Sequence, residues 1–108
     1  MEKLLKAGRP HRREPTHPGE IMREAIEDYW RLPIAEVARR MGVSRQSLHE
    51  VLRGEARLTP EMALRFEALG GGTPELLLRL QANYDVWHAR QKLKAEVARV
   101  EPVRETAD

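Results

Sequence analysis

The 108 residues contain no cysteine, which excludes disulfides, thiol catalysis and cysteine-bound zinc. Long apolar runs are missing as well. Nothing approaches the roughly 18 consecutive apolar residues of a membrane span, and the amino terminus lacks the apolar stretch of a secretory signal. The expected location is cytoplasmic, with no membrane partner. No segment alternates apolar and polar side chains over a strand's length, so no strand is expected. His11, His17, His49 and His88 have no spacing that would assemble a metal site with nearby carboxylates. The run Gly70-Gly71-Gly72 lacks the lysine of a phosphate-binding loop. These absences point away from an enzyme, and no cofactor or metal is expected. Excess charge is small too: 19 Lys and Arg against 17 Asp and Glu give a net charge of +2. Where the charge sits is therefore more informative than its total.

What is present reads as helix. Apolar residues make up 41% and charged residues 33% of the chain, a balance that suits a helix-rich globular protein with one modest core. Residues 1–16 carry Lys3, Lys6, Arg9, Arg12 and Arg13 among Gly8, Pro10 and Pro15. This is the composition of a disordered basic arm, either a solvated leader or a contact for phosphates. From Pro18 the punctuation becomes regular, because proline suits a first helical turn. Ile21, Met22, Ala25, Ile26, Tyr29 and Trp30 form one apolar stripe that should end near Arg31, ahead of Pro33. Ile34, Val37, Ala38 and Met41 mark a second short helix closed by Gly42. Ser44 is a good N-cap for a third, running to about Arg53 and Gly54. Thr59-Pro60 opens a fourth, with Met62, Ala63, Phe66 and Leu69 inward. Thr73-Pro74 opens a fifth, through Leu76, Leu77, Leu80, Tyr84 and Trp87. The architecture predicted is all-α, with five helices between a basic arm and a helical tail.

The most specific signal lies in residues 35–54. Two short helices crossing steeply through a tight turn need a small residue at the crossing and one tolerant of positive φ at the turn. They also need apolar anchors on the second helix. Ala38, Gly42, and Leu48 with Val51 and Leu52 meet these demands in register. At about 100° per residue, Gln46, Glu50 and Arg53 then point away from the anchors. Ser47 and His49 flank them, and Arg45 lies at the helix start. Such a ridge can enter the major groove of duplex DNA, where Gln pairs with adenine and Arg with guanine. Ser44 and its neighbouring backbone N–H groups sit where a phosphate is favoured, and Arg57 in the following loop is a second candidate phosphate contact. Glu50 could accept from a cytosine amino group or pair with Arg53 or Arg45.

At this point the residues resemble a known family. His17-Pro18-Gly19-Glu20-Ile21 is similar to the leader of HigA-type antitoxins, also called the VapI family, within the lambda-repressor-like helix-turn-helix proteins. Val43-Ser44-Arg45-Gln46-Ser47-Leu48, Thr59-Pro60-Glu61-Met62-Ala63-Leu64-Arg65 and Leu80-Gln81-Ala82-Asn83-Tyr84-Asp85 match as well, so the likeness spans residues 15–91. It implies a homodimer that represses its own operon by binding double-stranded operator DNA. It also implies a partner, a RelE-like (HigB-type) ribonuclease toxin that the protein neutralises. The DNA contacts it implies are Ser44, Arg45, Gln46, Ser47, His49 and Arg53. The chain departs from the family at Leu32-Pro33, where a polar cap is common, and at Leu76-Leu77-Leu78, where aromatics are common.

Helix five carries two stripes. Leu76, Leu80, Tyr84 and Trp87 should pack on the domain, whereas Val86, Ala89, Leu93, Val97 and Val100 lie on a displaced face that a monomer has little left to bury. Tyr84, Trp87, Leu93 and Val97 are therefore candidate contacts with a twofold mate or a toxin, set against a frayed tail around Pro102. The organisation expected is an arm over residues 1–16, a helix-turn-helix domain over 17–82 and a partner-binding extension over 83–108. A free-standing regulator without a toxin and a pure interaction module remain as alternatives.

Overall fold

The computed structural model describes residues 13–103. The basic arm's Lys3, Lys6, Arg9 and Arg12 lie outside the described residues. The five expected helices are present: α1 (Pro18–Glu24), α2 (Ile34–Met41), α3 (Arg45–Leu52), α4 (Pro60–Leu69) and α5 (Pro74–Lys92). A short α6 (Lys94–Ala98) follows, where a helical tail was expected. The described residues contain no strand.

The first helix differs in kind from its prediction. Beyond Glu24 it widens into a π-helical segment, Ala25–Trp30, and stops at Arg31 in the left-handed region, φ 54°. Wider turns change which side chains share a face. Met22 and Ile26 are fully buried, and Trp30 packs on the core with its ring 5.3 Å from that of Phe66. Tyr29 and Ile21, placed in the inward stripe from the sequence, are 77% and 44% exposed. A stripe drawn at α-helical spacing could not anticipate the widening at Tyr29, whereas Ile21 lies in the regular turns before it.

Caps fall where short polar residues and prolines signal them. The Ser44 hydroxyl accepts from the Ser47 amide, and the Thr59 hydroxyl accepts from the Met62 amide. Thr73 stands at the N-cap of α5 without a side-chain bond, contrary to its sequence signal. Gly42 ends α2 at φ 75°, a conformation that costs glycine nothing and any other side chain a steric penalty.

The core is a single cluster. Met22 and Ile26 of α1, Val37, Ala38 and Met41 of α2, and Leu48, Val51 and Leu52 of α3 meet Ala63 and Phe66 of α4 and Leu77 of α5. On α5 the buried positions are Pro74, Leu77 and Gln81. Leu76, expected to face inward, is 51% exposed, while Leu80, Tyr84 and Trp87 are half-buried. The true inner stripe contains a glutamine, so apolar spacing alone placed the face one residue off. Beyond Lys92 none of the described residues is buried, and Val86, Leu93, Val97 and Val100 expose 41–68% of their surface.

Candidate nucleic-acid interface

Three features set the geometry of α3. Gly42 turns the chain, and the Val43 amide donates to the Ala38 carbonyl at 3.1 Å. Arg65 of α4 then donates through Nη1 to the Met41 carbonyl at 2.8 Å, pinning the end of α2. Ser44 caps α3 through the Ser47 amide at 3.0 Å and donates its own hydroxyl proton to Ser47 Oγ at 2.7 Å. With Leu48, Val51 and Leu52 buried beneath, the helix cannot roll without exposing its anchors. Burying each such side chain contributes about 1.5–3 kcal/mol.

The opposite face is open, as the register predicts. Arg45, Gln46, Ser47 and Arg53 are exposed, and His49 and Glu50 are half-buried at the edges of the face. Arg45, Gln46, His49, Glu50, Arg53 and Glu55 line one shallow concavity. Within it Gln46 donates from Nε2 to Glu50 Oε2 at 3.3 Å. Glu50 thus takes a partner that the sequence did not suggest, rather than Arg53 or Arg45. Arg53 Nε instead lies 3.7 Å from Glu55 Oε2, and both side chains are well solvated. An exposed pair of that length stabilises by at most about 1 kcal/mol and leaves the guanidinium able to turn to another anion. Arg57, placed as a phosphate contact from sequence, is held through Nε by Asp85 Oδ2 of α5 at 2.7 Å.

On the flanking helix α2 a single carboxylate holds two guanidinium groups, leaving one net positive charge. Glu36 receives Arg39 Nη2 and Arg40 Nε, each at 2.7 Å. Hydrogen bonds from these two guanidinium groups hold its carboxyl at a pKa of about 2, against an ordinary 4.5.

The structure also exposes residues that sequence reasoning passed over. His17, quoted within the leader motif and set aside as a metal ligand, is 5% exposed and caps α1. Its Nδ1 accepts from the Gly19 amide at 2.9 Å, and its Nε2 lies 3.1 Å from the Ala56 carbonyl. An unprotonated Nδ1 leaves the proton of the neutral ring on Nε2, so that nitrogen is the donor to Ala56. Tyr84 meets the His17 ring edge-on at 4.8 Å. His88, given no role from the sequence, is exposed but reaches Glu14 Oε2 at 2.6 Å, so the end of the arm lies along α5. A lone histidine on a helical pattern carries no sign of such contacts.

A glycine-turned helix pair with a capped, outward-facing second helix defines the helix-turn-helix class of protein. The helix-turn-helix family model matches residues 31–77. YbaQ of Escherichia coli, an HTH-type transcriptional regulator, is 33% identical over 95 residues, covering 86% of this chain and 84% of that protein. Antitoxin HigA-1 of Vibrio cholerae is 28% identical over 95 residues, covering 88% and 90%. The solved structure of antitoxin GraA superposes with a TM-score of 0.76 at 33% identity, covering 84% of this chain and 99% of that one. The same antitoxin in complex with its operator gives a TM-score of 0.74 at 32% identity, covering 90% and 97%. The chain belongs to the HigA-type, or VapI, antitoxin family of lambda-repressor-like helix-turn-helix proteins, a family of DNA-binding antitoxins and regulators rather than enzymes. No helix among the described residues is long and apolar enough to cross a membrane.

Proposed function

We propose that the protein is the antitoxin of a type II toxin–antitoxin pair. It binds its own operator as a homodimer and neutralises a RelE-like ribonuclease toxin in the cytoplasm. The observation that carries the DNA-binding half is the exposed ridge on α3, presented by a buried Leu48–Val51–Leu52 underside and a Ser44 cap. GraA, whose fold this chain shares, has been solved on its operator. In this reading Gln46 and Arg45 reach base edges, with Ser47 and His49 alongside. Ser44, Arg53 and Arg57 approach phosphates, and Glu50 orients Gln46 through the bond between them.

The dimer or toxin contact falls on the end of α5 and on α6. There Leu93 and Val97 are 41% and 59% exposed, next to half-buried Tyr84 and Trp87. Among the described residues the indole Nε1 of Trp87 is buried without a hydrogen-bond partner. Residues 17–82 then form the DNA-binding unit, and the extension to 108 is the partner-binding unit.

Footprinting on the promoter of the chain's own gene tests the first half, with protection expected in two half-sites about one helical turn apart. Co-expression with the neighbouring reading frame tests the second, since a toxin gene there should be lethal without this chain. The YbaQ likeness favours a second reading, a free-standing transcriptional regulator. Operator binding with no toxin-encoding neighbour would select it.

A further inference from the structure

Only His17 and Gln81 are buried polar side chains among the described residues, at 5% and 2% exposure. They come from distant parts of the sequence, the N-cap of α1 and the middle of α5. Both bond to the same short stretch of chain. His17 reaches the Ala56 carbonyl at 3.1 Å, and the Leu58 amide donates to Gln81 Oε1 at 2.7 Å. Gln81 then donates from Nε2 to Asp85 Oδ1 at 2.9 Å, and the other oxygen of Asp85 holds Arg57 at 2.7 Å. Residues 53–58 follow α3 directly. Their first amides turn back onto that helix, with those of Glu55 and Ala56 both donating to the Glu50 carbonyl. A buried amide or imidazole is costly unless bonded, and an apolar residue at position 81 would have filled the core at less risk. The bonds these two groups make are therefore informative about what the fold must hold still.

We propose that His17 and Gln81 are positioning residues for duplex binding, fixing residues 53–58 so that Arg53 and Arg57 stand at a set distance from the ridge of α3. This rests on the DNA-binding reading. The recognition ridge is aimed by the apolar underside of α3. The loop that follows has only Leu58 and partly buried Ala56 beneath it, and beyond its backbone bonds to the end of α3 its course is set by these two polar anchors. Gly54 lies in the same junction: a Cβ there would stand 3.7 Å from the His17 ring, at φ 76°. His17 and Gln81 touch no nucleic acid themselves; they act through the loop backbone and through Asp85 on Arg57.

The test uses the full chain and two probes, a duplex spanning the promoter of its own gene and a random-sequence duplex. His17→Asn keeps an acceptor for the Gly19 amide, asparagine being a good N-cap, but is too short to reach Ala56. The variant should melt lower than the parent yet stay folded at the assay temperature, and bind both duplexes more weakly. The slope of log affinity against log salt should flatten by about one unit, because the phosphate met by Arg53 is lost while Gln81 and Asp85 still hold Arg57. Its preference for the promoter over the random duplex should stay the same. Parental affinity and slope in this variant would overturn the proposal, as would a binding loss that merely tracks the fall in melting temperature. Amide hydrogen exchange on the parent is an independent check. Leu58 should be protected to the level of the α3 amides, and exchange at the rate of an open loop would equally overturn the clamp. A parent that binds neither duplex would instead overturn the DNA-binding reading, and this inference with it.

Discussion

Gly19 sits so close to the end of α3 that a Cβ on it would stand 2.0 Å from the carbonyl oxygen of Val51. The obstacle is helix backbone rather than a flexible side-chain tip, so neither partner can yield locally. Gly19→Ala should therefore separate α1 from α3 and lower stability by about 3 kcal/mol, the upper end of ordinary overpacking costs. Urea unfolding followed by circular dichroism measures this. An unchanged midpoint would mean that α1 can slide along α3, which the buried Met22 and Ile26 argue against.

Gln46 and Arg45 should fail differently when truncated. Gln46→Ala removes a side chain able to read a base, and should cost about 1–3 kcal/mol at one operator position while relaxing preference there. Arg45→Ala should weaken binding with a flatter salt dependence if its partner is a phosphate, and with relaxed base preference if its partner is a guanine. Binding titrations against single-base operator variants at two salt concentrations separate these outcomes. A uniform loss for Gln46→Ala across all variants would show that it reads no base.

Burial pushes the His17 pKa below its ordinary 6.5, against the opposing pull of the Ala56 carbonyl and of Asp85, Glu20 and Glu14. Arg23, Arg53 and Tyr84 border the same recess, and His88 packs on Tyr84. The unfolded chain therefore takes up a proton before the folded one does. Stability from this group is complete above about pH 6.5 and is lost as the pH falls through the lowered folded value. The urea midpoint of the parent should hold level near pH 7–8 and fall toward about pH 5, and His17→Asn should flatten that fall. A parental midpoint that rises on acidification across this range would contradict the assignment.

Glu36 titrates in a separate window. Held at about 2 by Arg39 and Arg40, it should remain ionised while ordinary carboxylates gain protons. Its contribution is present above about pH 4.5 and lost as the pH falls through about 2. Carbon-detected NMR of the Glu36 carboxyl gives the midpoint directly. A value near 4.5 would mean that the two arginines are free in solution, and hence available to phosphates.

Removing residues after Gln91 should leave the fold intact, because α6 buries nothing and every residue from 91 to 100 is exposed. Surface deletions of this kind cost about 0.5 kcal/mol or less. Association should change instead: gel filtration should show a dimer for the full chain and a monomer for the truncated one. An unchanged elution position would remove Leu93 and Val97 from the interface.

Most of the fold was legible because it is written in local chemistry. Ser44, Thr59, Gly42 and the prolines act within a turn or two of their own position, so caps and breaks could be placed from neighbours alone. The anchors Leu48, Val51 and Leu52 follow helical spacing, which gave the outward direction of Gln46 and Arg53 without coordinates. Where sequence reasoning failed, the cause was non-local. Tyr29 left the predicted stripe because the helix widens as Trp30 packs against Phe66. Leu76 left it because Gln81, polar and therefore discounted, is buried by its bond to Leu58. Arg57 and Glu50 took partners that spacing along the chain could not reveal.

The amino-acid order by itself determined the helices, the glycine turn and the face that α3 presents, since each depends on backbone preferences and on apolar periodicity within a few residues. Only the tertiary structure decided which groups hold the loop after that helix. His17 and Ala56 are 39 positions apart, and Leu58 and Gln81 are 23 apart. Hydrogen bonds between such distant groups form only once hydrophobic packing has brought α1 and α5 together, and nothing in the local pattern of either segment encodes its partner.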